Sequence, residues 1–341
     1  MGTAPPTTDA PSPAAPAGDA RTRWKTALKA LATLAIFGLV LWKVPLSDLA
    51  ARMRHLGAAD LAILVVVTIA QVSVGVLRWQ RVLARLGERV SFFGLYGDLL
   101  VGLTYNMFLP TTVGGDVVRA IRARKRLKVG HRAWSSSIYE RIAGLLALAA
   151  SGAIAAAVGL GEQVHVPPAL RWTAIGVAIA FLLAFFGASW PFRLLLGLIE
   201  RSLGKGGAAA ADVRGIVADL EGPLTSAGAR LEALGWSIVY QALGIVFVIA
   251  GARGLGAPGH ELAILVGVPI VHVFSMVPIT IGGLGLREGL FVAILGRLGV
   301  ASDVALGLAA QWLASSVGFA LAGAIVALVA TVRTPRDRDS A

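Results

Sequence analysis

Long, unbroken apolar runs set the rhythm of this chain. They include 26-TALKALATLAIFGLVLWKV-44, 60-DLAILVVVTIAQVSVGVL-77, 142-IAGLLALAASGAIAAAVGLG-161 and 173-TAIGVAIAFLLAFFGAS-189. Three more follow: 236-WSIVYQALGIVFVIAG-251, 262-LAILVGVPIVHVFSMVPI-279 and 304-VALGLAAQWLASSVGFALAGAIVALVA-330. At about 1.5 Å rise per residue, a run of about 20 apolar residues crosses a hydrocarbon core of about 30 Å. The runs are continuous and do not alternate, which excludes a membrane barrel. The pattern predicts an all-α, polytopic helical membrane protein.

One stretch breaks the pattern. The segment 92-FFGLYGDLLVGLTYNMFLP-110 carries Gly94, Gly97, Asp98, Gly102 and Asn106, a poor surface to show to lipid. Pro110 and the Gly114–Gly115 pair end it. The basic residues test its course, because Lys and Arg favour cytoplasmic loops. Placing residues 21–29, with four Lys/Arg, inside returns the loop holding Arg81, Arg85 and Arg89 to the inside. Seven Lys/Arg lie between 119 and 132. They stay inside only if 92–110 dips in and returns. That choice also places the basic residues of 190–235 and of the C-terminus inside. Non-helical backbone at membrane depth is tolerated where protein buries it or where it lines a cavity.

The break recurs. Residues 110–119 read PTTVGGDVVR and residues 278–287 read PITIGGLGLR. Pro110/Pro278, Thr112/Thr280, Gly114/Gly282, Gly115/Gly283 and Arg119/Arg287 match in register. The shared residues are structure-breaking or charged, not the apolar ones that chance would favour. Paired broken segments in the two halves of a transporter point to its binding site. The chain therefore reads as about six full spans, at 26–44, 60–78, 138–160, 171–189, 236–252 and 304–330. Two broken or re-entrant hairpins, near 92–128 and 262–300, complete it. An even number of spans keeps both termini cytoplasmic and sends the hairpins in from opposite faces, as in an inverted repeat. The plainer alternative is a pair of helix-ending turns with snorkelling arginines.

Composition narrows the class further. Apolar residues make up 56% of the 341 residues and charged residues 15%. The net charge of +12 fits cytoplasmic loops against anionic headgroups better than a nucleic-acid surface. There is no Cys, hence no disulfide and no thiol chemistry. The Pro/Ala/Thr-rich residues 1–20 are expected to be disordered. Residues 21–332 form the membrane domain and 333–341 a cytoplasmic tail. The first span follows a basic flank without a clear cleavage site and is expected to stay uncleaved. Residues 207–222 have the spacing of an amphipathic surface helix. No metal spacing, nucleophile elbow or cofactor motif occurs, so no enzyme activity, metal or cofactor is expected.

Charges within apolar segments are costly and are usually functional. Asp98, Asp116, Glu140, Arg141 and Glu288 qualify. Neighbours on a helix do not face each other, so Glu140 and Arg141 are expected to pair elsewhere. Arg119 with Glu140, or Arg287 with Asp116, are the open possibilities. Arg78 beside Trp79 is either an interfacial anchor or part of the site. His272 is expected to be a satisfied histidine of the bundle, and Tyr240 and Gln241 interhelical hydrogen-bonders.

These residues carry a family likeness. N-M-F-L-P-x-x-x-G-G-D-x-x-R at 106–119 resembles a signature of the lysylphosphatidylglycerol synthase transmembrane region, a flippase-like family. Arg78–Trp79, S-x-x-E-R at 137–141 and 278-PITIGGLGLREG-289 resemble three further motifs in the same order. Glu140–Arg141 stands where the family more often has Asp-Arg. The likeness spans roughly 25–330. It implies a lipid-handling domain of the cell membrane, without the soluble domain that makes the aminoacyl lipid. By the same likeness, the substrate is an anionic phospholipid or a polyprenyl-phosphate-linked lipid moved between leaflets. Arg78, Asn106, Pro110, Thr112, Gly114, Gly115, Asp116, Arg119, Glu140 and Arg141 would contact it. So would Pro278, Thr280, Gly282, Gly283, Arg287 and Glu288. Arg119 and Arg287 would grip the phosphate, helped by helix N-termini freed at the Gly-Gly breaks. The alternatives are a lipid-binding scaffold for an envelope-synthesis enzyme and an intramembrane lipid-phosphate transferase.

Overall fold

The computed structural model describes residues 51–109 except 53, residues 114–158, 207–275, 279–280 and 283–333, and isolated positions between 172 and 197. Every regular element among them is helical, as the apolar runs predict. In chain order these are α1 (Ala58–Arg85), α2 (Phe92–Phe108), α3 (Gly114–Arg124), α4 (Arg132–Val158) and α5 (Ala208–Glu221). Then come α6 (Ala227–Gly254), α7 (Glu261–Ser275), the short α8 (Leu286–Leu290) and α9 (Ser302–Arg333). A π-helical turn, Phe291–Leu295, continues α8.

Four helices among the described residues are long and apolar enough to cross a membrane: Ala58–Arg85, Arg132–Ile154, Ala227–Gly254 and Ser302–Ala330. The expected spans at 26–44 and 171–189 lie outside the described residues, apart from isolated positions in the second. The expected surface helix at 207–222 is α5.

α1 and α6 run antiparallel over their full length. Arg85 meets Glu232 at one end, and a Cβ on Gly254 would press on Leu56 and Asp60 at the other. The first end also holds α5 and the foot of α2, and we term it the basic end. There, buried Glu88 accepts the Lys128 and Val129 N–H groups and pairs with Arg132 at 2.9 Å. Hydrogen bonds to the charged form outweigh the upward push of burial and hold the Glu88 carboxyl below its ordinary value.

α2 and α3 form the hairpin expected at 92–128. Buried Asp98, near the start of α2, takes Arg122 and Arg126 from the end of α3, each at 2.9 Å. Near the tip the two backbones nearly touch. A Cβ on Gly102 would lie 2.7 Å from the Gly115 carbonyl oxygen, and one on Gly115 would overlap that of Gly102. In lipid the driving force is close packing and not water expulsion, so such glycine contacts hold helices together. α9 packs antiparallel on α2 in the same manner, with Gly323 against the Leu100 carbonyl. Thr104 Oγ1 donates to the Ala320 carbonyl at 2.8 Å.

The second hairpin opens the other way. α7 begins at the far end, where Arg253 pairs with Glu261 at 3.0 Å. The chain turns back through α8 and the π turn, and Leu295 and Leu298 pack beside Gly267. It returns to the far end, where Asp303 meets Arg52. The tips of the two hairpins thus point toward each other.

A candidate functional cavity between the hairpin tips

Between the tips lies a cavity of about 380 Å³. Asn106, Asp116 and Arg119 reach it from the first hairpin, Leu284 and Arg287 from the second, and Arg78 from α1. Both matched arginines therefore line one space.

Its charged wall centres on Glu140, which is 1% exposed. One carboxylate oxygen accepts Arg78 Nε at 2.9 Å and the other accepts Arg119 Nη1 at 2.8 Å. Of the open pairings, Arg119 with Glu140 is realised. Asp116 is not the partner of Arg287. It pairs with Arg141 and sits 3.1 Å from Arg119 Nε. The reason is helical spacing: Asp116 and Arg119 are three apart on α3 and share a face. Aromatic rings back both cations. The Arg119 guanidinium lies 4.7 Å from the Trp79 ring centre, and that of Arg78 5.3 Å from Tyr240.

Arg78–Trp79 is therefore no interfacial anchor. Trp79 is fully buried and its indole N–H donates to Ser136 Oγ at 3.0 Å. Arg78 also donates to Ser237 Oγ at 3.1 Å. Glu140 and Arg141, adjacent in sequence, serve different partners, as their angular separation requires.

Arg287 differs. It makes no hydrogen bond or ion pair with a described residue. Its neighbour Glu288 is 2% exposed and accepts the Gly285 N–H at 2.6 Å. Gly283 has φ +75°, a left-handed conformation, and a Cβ there would lie 3.2 Å from Arg287 Nη2. Thr280 is buried, and its hydroxyl has no partner among the described residues. Pro110, Thr112, Pro278 and Gly282 lie outside the described residues.

One backbone donor at each break is already engaged. Gly115 N–H donates to Asn106 Oδ1 at 2.7 Å, and Gly285 N–H is held by Glu288. Asn106 and Glu288 therefore each cap one donor at the breaks, and the guanidiniums of Arg78, Arg119 and Arg287 line the cavity.

Other expectations need revision. Asp98 sits away from the cavity, tying the hairpin legs. For His272, Nε2 is buried without a partner among the described residues, and the ring lies 4.6 Å from that of Trp312. Tyr240 supplies a ring for Arg78, and its carbonyl accepts Gln71 Nε2 at 3.2 Å. Thr68, Gln71, Trp312, Ser315 and Ser316 also line the cavity and were not singled out from the sequence. Polar residues one helical turn apart, as at 68/71 and 312/315/316, were the available signal.

The family model for the lysylphosphatidylglycerol synthase TM region matches residues 26–324. The chain belongs to this family. The match covers nearly the whole chain and every helix that bounds the cavity. Membership indicates a membrane protein with a lipid-related role. Comparisons with curated proteins and with solved structures returned no match.

Proposed function

We propose that the protein moves an anionic lipid between leaflets, passing its phosphate headgroup through the cavity between the two hairpin tips. The observation that carries this reading is the meeting of Arg119 and Arg287 in one space. They come from matched PxxxGGxxxR segments 168 residues apart, 287 minus 119. Arg287 brings a cation with no carboxylate bonded to it among the described residues, and such a group at membrane depth calls for a ligand of opposite charge. The cavity's size suits a headgroup and leaves acyl chains in the surrounding lipid. Asp116 and Glu140 are engaged by arginines, which favours positioning over covalent chemistry.

The same reading includes six spans, an inverted repeat and a cytoplasmic-membrane location with both termini inside. The opposed hairpins and the basic end support it. It takes the lipid phosphate, on a phospholipid or a polyprenyl carrier, as the recognised group.

A leaflet-exchange assay tests the proposal. Purified protein is reconstituted with a trace of headgroup-labelled anionic lipid, and the outer label is quenched. The parent is expected to exchange label and an Arg119→Ala/Arg287→Ala protein, confirmed as folded, is not. Equal exchange by both would overturn the proposal. Lipid binding without exchange would favour a scaffold for an envelope-synthesis enzyme.

A further inference from the structure

Five carboxyl groups are buried among the described residues: Glu88, Asp98, Glu140, Asp219 and Glu288. Four of them face basic side chains. Glu88 pairs with Arg132, Asp98 with Arg122 and Arg126, Glu140 with Arg78 and Arg119, and Asp219 with His131 and Arg132. Glu288 forms no ion pair with a described residue. Its Oε2 accepts the Gly285 N–H at 2.6 Å and so caps α8. Its Oε1 is buried with no partner among the described residues. The cap explains one oxygen and leaves the other unexplained.

A buried carboxylate with an unpartnered oxygen is costly, and it escapes the cost by binding a cation or a proton. Arg287, next in the chain, would repel a metal ion placed there. A proton on Oε1 adds no second cation, and the neutral acid still accepts the Gly285 N–H through Oε2.

α8 packs on α7, the π turn and α9. α7 carries Glu261 and His272, α9 carries Asp303 and Arg333, and the π turn carries no titratable group. Glu261 and Asp303 are paired with Arg253 and Arg52 at the far end. Arg333 closes the opposite end of α9. Arg287 and His272 remain. Arg287 acts on Glu288 through space and without a bond, because neighbours on a helix point apart. His272 feels Arg287 as well. The charge that favours ionised Glu288 is therefore that of Arg287, whose side chain lines the cavity.

An anion bound at Arg287 cancels that charge and removes the support of the ionised form. We propose that Glu288 takes up one proton on Oε1 when an anionic headgroup occupies Arg287, so that the lipid's negative charge and a proton are carried together. The O–H bond is the only bond formed. The proton comes from solvent and returns to it when the anion leaves. This rests on the lipid-phosphate reading above and adds its coupling ion. Reciprocally, a protonated Glu288 raises the affinity for the anion.

The test is binding of phosphatidylglycerol to the full chain in detergent, from about pH 5 to about pH 9, where the charge of this phosphodiester is constant. Affinity of the parent should fall as pH rises, by up to about tenfold per pH unit for one proton. A pH-indicator dye in weakly buffered detergent should report proton uptake when lipid is added. Glu288→Gln keeps an oxygen for the Gly285 N–H and mimics the neutral acid, so its binding should depend little on pH. His272→Phe should keep the parent's slope. A parent that binds equally at every pH, or without proton uptake, overturns the inference. So does a slope that survives in Glu288→Gln or disappears in His272→Phe, and so does dependence on sodium concentration in place of pH. If Glu288→Gln fails to fold, the dye reading on the parent and on His272→Phe decides. In all these outcomes the lipid still binds and the proposed function stands. A parent that binds no lipid at any pH overturns both.

Discussion

The two hairpins carry one motif and wire it differently. In the first, Arg119 is 6% exposed, lies against Trp79 and faces two carboxylates. In the second, Arg287 reaches the same cavity with no bonded partner among the described residues. A buried ion cluster is stable only as a complete set, because each member offsets the desolvation of the others. An unpaired cation contributes little to the fold and stays available to a ligand. Identical letters in a repeat thus separate into a fixed post and a free hand.

The largest expected effect comes from dismantling the post. Glu140→Ala leaves Arg78 and Arg119 without their shared carboxylate, and breaking such a buried set costs about 3–5 kcal/mol. Thermal unfolding in detergent should show a large drop in melting temperature. A melting temperature close to the parent's would mean that Glu140 is no keystone.

Arg287→Ala sharpens the contrast from the other side. The melting temperature should stay within a few degrees of the parent's while label exchange slows by about 10- to 100-fold, the worth of a hydrogen bond to a charged group. If Arg287→Ala unfolds the protein as Glu140→Ala does, the distinction between the arginines fails.

Gly283→Ala is intermediate. The left-handed backbone costs a non-glycine residue about 1–2 kcal/mol, and the added methyl crowds Arg287. A modest loss of stability with a slower exchange rate is expected, read from melting and exchange side by side.

The smallest effect concerns the foot of the first hairpin. Glu88 has its folded value depressed below the ordinary 4.5. Its contribution is therefore complete above that value and fades as pH falls through the lower folded one. Melting measured from pH 6 down to pH 3 should show a fall in the parent that Glu88→Gln largely lacks.

Much of this architecture is legible in the residues. The Pro and Gly breaks locate the hairpin at 92–128, because only they interrupt the apolar runs. The Arg119–Glu140 pair is one of two pairings the residues leave open, and the fold realises it. Three features resist a linear reading. Arg78 shares Glu140 only because α1 and α4 cross at that height, a register that no single segment specifies. Gly115 N–H is taken by Asn106, nine residues away across the turn, so one donor of the helix start that looked open is occupied. The uncharged polar lining of the cavity needs α1 and α9 side by side, elements about 250 residues apart whose serines and threonine look ordinary in isolation.

The contact of Gly323 with the Leu100 carbonyl has a kinematic meaning. Backbone packed that tightly, and tied again from Thr104 to Ala320, cannot slide or hinge at that seam. The first hairpin and the last helix are one mechanical piece, although they come from opposite ends of the sequence. The other end of that helix is buried with α7 and the π turn in the main core, so the last helix also ties the first hairpin to the second. The packing therefore does not divide at the midpoint of the chain: the last helix is a clasp that holds both hairpins.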